Sequence, residues 1–152
     1  MPEKETLERA EEDKREGKAP STQAGEFVKE EIEHVREGKH GAQSTKQAIA
    51  IGLSKARRAG VKLAAPKKGK ASKKTREQAA RDLRKGKSAS KGKKSAKRSR
   101  ATSRALKREG QSAASKKALS RQARSAADKR SAASRSRSAK RAAATRKKSR
   151  KK

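Results

Sequence analysis

The chain contains no cysteine, no tryptophan and no tyrosine, and one phenylalanine, Phe27, among 152 residues. Without cysteine there is neither a disulfide framework nor a thiolate metal site. With one aromatic side chain there is no row of rings on which bases could stack, the usual platform for single strands and RNA. Long apolar runs are missing too. Nothing approaches the ~18 residues that a membrane-spanning helix needs, and the opening MPEKETLERAEEDKREGKAP lacks the apolar stretch of a secretory signal. Hydrophobic residues reach 28% only because alanine is counted. A chain this poor in bulky apolar side chains does not bury enough surface to offset the entropy of ordering, so no large core is expected.

What the chain has in excess is positive charge: 48 Lys and Arg against 16 Asp and Glu, a formal net charge of +32. The distribution is uneven. Residues 1–40 hold 12 of the 16 acids and sum to −4, residues 41–65 sum to +5, and residues 66–152 sum to +31. Such asymmetry predicts a small ordered module carrying a basic interaction arm. Three parts follow: an acidic, loosely helical lead segment at 1–20 that Pro20 ends, a helical hairpin at 21–65, and a Lys/Arg/Ala/Ser-rich arm at 66–152.

The hairpin is read from periodicity. Val28, Ile32 and Val35 fall on one face of a helix over about 21–38, with Phe27 on its flank, Ser21 or Thr22 as cap and Gly38 just past the end. After the linker KHGAQ, Ser44 and Gln47 stand at capping-box spacing. They open a second helix from about Thr45 to Ala59, which Gly60 stops. Its expected apolar face is Ile49, Leu53 and Ala56, with Gly52 and Ala59 allowing close approach. Val61 and Leu63 are placed to fold back over the open end. The expected core is therefore Phe27, Val28, Ile32, Val35, Ile49 and Leu53, marginal for forty residues. Ile51 lies on the opposite, basic face, a contact point for a second copy or a protein partner.

From Pro66 onward there is no Val, Ile, Phe or Met, and the only leucines are Leu83, Leu106 and Leu119. Proline is confined to Pro66 and glycine to four positions, while Ala, Lys and Arg are good helix formers. Repulsion between cations at i, i+4 opposes helix, so segments near 75–85, 101–109 and 112–148 are expected to order when a polyanion removes it. The fold class predicted is all-α: a short hairpin plus a long low-complexity arm, disordered or helical in isolated segments.

The arm points to phosphate. DNA presents one charge per ~1.7 Å of duplex, and contacts to about ten phosphates would make log K fall with log salt at a slope near −9. The expected binding residues begin on the second helix with Lys55, Arg57 and Arg58 and continue through Lys62, Lys67, Lys68, Lys70, Lys73 and Lys74. Next come Lys91, Lys93, Lys94, Lys97, Arg98, Arg100 and Arg104, then Lys116, Lys117, Arg121 and Arg124. Arg135, Arg137, Arg141, Arg146, Lys147, Lys148 and Arg150 complete the set. Phosphate contacts position without specifying, so little sequence preference is expected.

Catalytic signals are absent. No Gly-x-Ser-x-Gly elbow and no Gly-x-x-x-x-Gly-Lys-Ser/Thr loop occurs. A metal site can be drawn from His34 and His40 with Glu30, Glu31 or Glu37, but the two histidines read as ordinary solvated side chains. No enzyme, cofactor, metal site, small-molecule substrate or membrane contact is expected. The function expected is non-enzymatic DNA binding, histone-like, at the nucleoid of a bacterial cytoplasm. An RNA- or ribosome-associated protein, or a protein-binding adaptor localised by its arm, are the alternatives.

The stretch STKQAIAIGLSKARRAG, with GKHG just upstream, resembles the signature of small basic bacterial proteins of a domain-of-unknown-function family. The likeness is close over Gln47–Gly60, and it implies a recurring bacterial module, often with a Lys/Ala/Ser/Arg-rich tail, and no established activity. In composition the arm is also similar to linker-histone tails, from which it departs in having almost no proline.

Overall fold

A computed structural model of the chain describes residues 1–88 and 95–150, apart from the side chain of Ser149. The described residues form helices and no strand: α1 (Lys4–Arg15), α2 (Pro20–Arg36), α3 (Thr45–Arg58), α4 (Lys73–Lys87), α5 (Ala96–Lys107), a 3-10 turn (Ser112–Ala114), α6 (Lys116–Asp128) and α7 (Ala132–Ser149). They divide into two compact units, Met1–Ser115 and Lys116–Lys152. The all-α class holds. The long unpacked arm does not, because α4 and the 3-10 turn pack into the first unit.

In that unit α2 is central, in contact with α1, α3 and the 3-10 turn, and α4 lies on α3. Three of these helices end in the same way. Gly17, Gly38 and Gly60 take φ of 73°, 75° and 99°. The amide after each glycine bonds back to the helix: Lys18 to Asp13 O, Lys39 to His34 O and Val61 to Ala56 O. This paired reversal satisfies carbonyls that a helix end leaves open. Pro20 begins α2 rather than closing α1, as the first helical residue, where its missing N–H costs nothing. No side chain caps α2, so Ser21 and Thr22 do not have the expected role. At α3 the Ser44 hydroxyl accepts from Gln47 N at 3.2 Å, as expected. The Gln47 side-chain oxygen accepts from Gln43 N at 2.8 Å, one residue before the cap.

The core differs from the expected list in α3. Phe27, Ile32 and Val35 are buried, but Val28, Ile49 and Leu53 are only half-buried. The face that α3 buries is Ala48, Gly52 and Ala56. Close packing against α2 explains the choice: a Cβ at Gly52 would lie 2.7 Å from Val28 Cα and 2.9 Å from Phe27 O. Backbones this near leave room for small side chains alone, so the branched residues move to the flanks. Ala10, Ala24, Phe27 and Ala56 form one cluster, over which Leu53, Val61 and Leu63 pack. Ile51 is half-buried.

Helix α1 docks by Thr6, Ala10 and Asp13, while Leu7 is exposed. Arg9 Nε donates to Glu26 Oε2 at 2.8 Å and Lys18 Nζ to Asp13 Oδ1 at 2.7 Å. The lead segment is thus a packed helix rather than a loose one. Helix α4 buries Ala79 and Asp82, and Gly86 rests on α3, where a Cβ would fall 2.0 Å from Arg57 O. Residues 106–114 cover the α2–α3 connection: Gly41 N donates to Leu106 O at 2.9 Å and Ala42 N to Gly110 O at 3.1 Å. Thr45 Oγ1 donates to Ala113 O at 2.6 Å and Arg36 Nε to Ala114 O at 2.9 Å, beneath the buried Ala113 and Ala114. No described helix is long and apolar enough to cross a membrane.

Candidate nucleic-acid interface

Cations of α3 that the charge pattern assigns to phosphate are engaged inside the fold. Lys55 Nζ lies 3.1 Å from Glu30 Oε1 and 2.7 Å from Glu31 Oε2, two carboxylates that are 2% and 0% exposed. Burial acts to lower the Lys55 pKa, but pairing with Glu31 and Glu30 outweighs it and holds the ammonium above its ordinary value. Arg58 Nε donates to Asp82 Oδ1 at 2.7 Å, and Ser54 Oγ donates to Asp82 Oδ2, also at 2.7 Å. Burial pushes the Asp82 carboxyl up, and donation from Ser54, Arg58 and Gln78 more than reverses this, leaving its pKa below the usual value. Arg57 is buried, and its Nε donates to Leu63 O at 3.1 Å, tying down the segment after α3. Burial lowers its pKa.

The remaining expected residues that are described sit on the surface. Lys62, Lys67, Lys68 and Lys70 are exposed in the connection to α4, and Lys73 and Lys74 are exposed in its first turn. Lys73 reaches Glu77 at 4.0 Å. Lys91, Lys93 and Lys94 lie outside the described residues. Helix α5 exposes Lys97, Arg98, Arg100 and Arg104 and buries nothing.

The second unit is different in kind. Residues 116–152 carry 16 Lys and Arg against one acid, Asp128, a net +15 over 37 positions. Helix α6 exposes Lys116, Lys117, Arg121 and Arg124, and α7 exposes Arg135, Arg137, Arg141, Arg146, Lys147 and Lys148, with Arg150 exposed after it. Helix α6 is buried nowhere along its length. The turn between the two helices is held by arginine. Arg135 Nη1 donates to Ala127 O at 3.2 Å and to Arg130 O at 3.1 Å. Arg130 Nη2 donates to Ser134 O at 3.0 Å and also to the Ser138 hydroxyl. The Ser131 hydroxyl accepts from Ser134 N at 3.2 Å and caps α7. Burial cannot hold such helices, and their cations repel one another at i, i+4. An anion along them would remove that cost.

Histidine was misread from the sequence. The side chains of His34 and His40 are 13% and 17% exposed, enclosed rather than solvated. The signal available was Glu-x-x-His at 31–34, which puts both side chains on one face of α2.

A family of unknown function (DUF6496) matches residues 13–69, from the last turns of α1 through α2 and α3, with the Gln47–Gly60 segment inside the match and α4 onward outside it. No curated protein and no solved structure matches the chain.

Proposed function

We propose that the chain is a non-enzymatic, largely sequence-independent DNA-binding protein, histone-like in action, that neutralises phosphate through its carboxy-terminal helices. One observation carries the reading: residues 116–152 hold 16 cations against a single acid, and eleven of those cations are exposed on α6 and α7. An 18-residue helix such as α7 is ~27 Å long, a length along which duplex DNA presents about 16 phosphate charges. Its Arg135, Arg137, Lys140, Arg141, Arg146, Lys147 and Lys148 lie within that span. Stacking on unpaired bases has no support, because Phe27 is the chain's one Phe, Tyr or Trp and is 1% exposed. The exposed cations of α5 and of residues 62–74 give the first unit phosphate-binding groups of its own. A bacterial nucleoid is the place where such a protein would work.

The test is the salt dependence of binding by the full chain to duplex DNA and to structured RNA of equal length. The expected slope of log K against log salt is near −9, about ten phosphate contacts, with DNA held at least as well as RNA. A slope shallower than about −2, or a clear preference for the structured RNA, sinks the reading.

A further inference from the structure

Apart from its exposed cations, the first unit holds a cluster of one carboxylate and two imidazoles. One ligand atom each from Glu31, His34 and His40 lies within 4.8 Å of the other two. Glu31 is 0% exposed, yet neither of its carboxylate oxygens completes a hydrogen bond. Lys55 Nζ stands 2.7 Å from Oε2 as an ionic neighbour, and His40 Nε2 stands 3.3 Å from Oε1. A buried carboxylate with open lone pairs is costly unless something occupies them.

Both histidines are set as metal ligands by their other ring nitrogen. His40 Nδ1 lies 3.0 Å from the Gly41 carbonyl, which can only accept; with the proton on Nδ1, Nε2, 3.3 Å from Glu31 Oε1, can give its lone pair to a metal between the two. His34 Nε2 lies 2.8 Å from Glu3 Oε1, also an acceptor only, which leaves Nδ1 with the lone pair. A carboxylate or carbonyl behind the imidazole is the common support of zinc-bound histidine. The two rings are 6.2 Å apart and nearly perpendicular, so edges rather than faces meet. Tetrahedral zinc with bonds of ~2.0–2.1 Å separates neighbouring ligand atoms by about 3.3 Å, the distance already found between His40 Nε2 and Glu31 Oε1. Charge agrees as well: Glu30 and Glu31 together with Lys55 leave one buried negative charge for a cation to balance.

We infer that Glu31, His34 and His40 bind a divalent transition metal, Zn²⁺ by ligand type, which clamps the last turns of α2 to the connection leading into α3. Two histidines and one glutamate leave a fourth position for water. The ion closes the loop between His34 and His40 across the Gly38 reversal, and it completes the coordination of Glu31 from the Oε1 side while Lys55 keeps Oε2.

The experiment uses the full chain, freed of nucleic acid at high salt and treated with chelator. Calorimetric titration with Zn²⁺ should show one equivalent bound, and saturation should raise the melting temperature of the first unit by about 5 °C. Co²⁺ should give the visible absorption of a four-coordinate N/N/O site. His34→Gln and His40→Gln should each weaken Zn²⁺ binding by at least ~10-fold while keeping the helical circular dichroism of the native chain. Stoichiometric binding that survives in both variants overturns the assignment. If the variants fail to fold, the native chain decides: no Co²⁺ bands and no Zn²⁺-dependent rise in melting temperature also overturn it.

Discussion

The helices α3 and α7 both carry Ala, Ser, Lys and Arg, to which α3 adds Ile49, Ile51, Gly52 and Leu53, and they hold their charge in different ways. In α3, Lys55 and Arg58 face Glu30, Glu31 and Asp82, carboxylates contributed by α2 and α4. In α7 the cations are exposed, Arg135 is turned to the carbonyls of Ala127 and Arg130, and residues 116–152 contain one acid, Asp128. Basic residues are therefore not one class in this protein. Those near a buried acid fix helix against helix, and the exposed ones are the residues that the proposed function assigns to phosphate. Local composition does not separate the two, because the acids that decide it lie 24 or 25 residues away in sequence.

The sharpest way to break the comparison is to remove charge from each side. Replacing Arg121, Arg124, Arg137, Arg141, Lys147 and Lys148 together by Gln should weaken duplex binding on the order of 10³-fold and flatten the salt slope by about 5. The melting of the first unit should stay where it is. Gly52→Val should do the reverse, costing the first unit about 3 kcal/mol through overpacking against α2, with the salt slope unchanged. Chemical denaturation alongside the salt titration checks both.

Asp82→Ala comes next, at about 2 kcal/mol, because Ser54 and Arg58 lose a buried acceptor. A variant that melts like the native chain would show that α4 is not held by this contact. Acid should act through the same groups. Asp82 and Glu30 have folded-state pKa values below their unfolded ones, in each case because their donors outweigh the effect of burial. Their contribution is whole above the ordinary carboxylate range and is lost as pH falls through the depressed folded values. Melting curves from pH 6 to pH 2 should show the first unit weakening below about pH 4. Lys55, with its pKa raised, keeps its contribution until pH rises beyond about 10.4. Smallest is Ser44→Ala, about 1 kcal/mol for the lost helix cap, read by the same denaturation.

Much of the α2–α3 pair was legible. Hydrophobic period, the Ser44 cap and the stops at Gly38 and Gly60 locate both helices, and Val61 and Leu63 do return to the core. What escaped is the docking of α1 and α4. Their buried faces, Thr6 with Ala10 and Asp13, and Ala79 with Asp82 and Gly86, are made of small or acidic residues that give no hydropathy contrast. The same blindness turned α3 by one position, since Ile49 looks like core until a close neighbour reserves that space for Ala48 and Gly52. At the candidate interface, excess charge points to cations most of which are exposed among the described residues. It misplaced Lys55, Arg57 and Arg58, and it passed over His34 and His40, because enclosure is a property of the fold and not of the residue.

Gly86 has a consequence for fidelity. Helices whose contacts rest on small side chains could slide along one another at little loss of contact. The bare Cα of Gly86 fits over Arg57 O only when Asp82, one turn earlier, meets Ser54 and Arg58. Together they work as an index mark: of the many frames in which α4 could lie on α3, one lets the backbones touch and the charges meet at once. A repetitive chain thereby obtains a unique address for one helix.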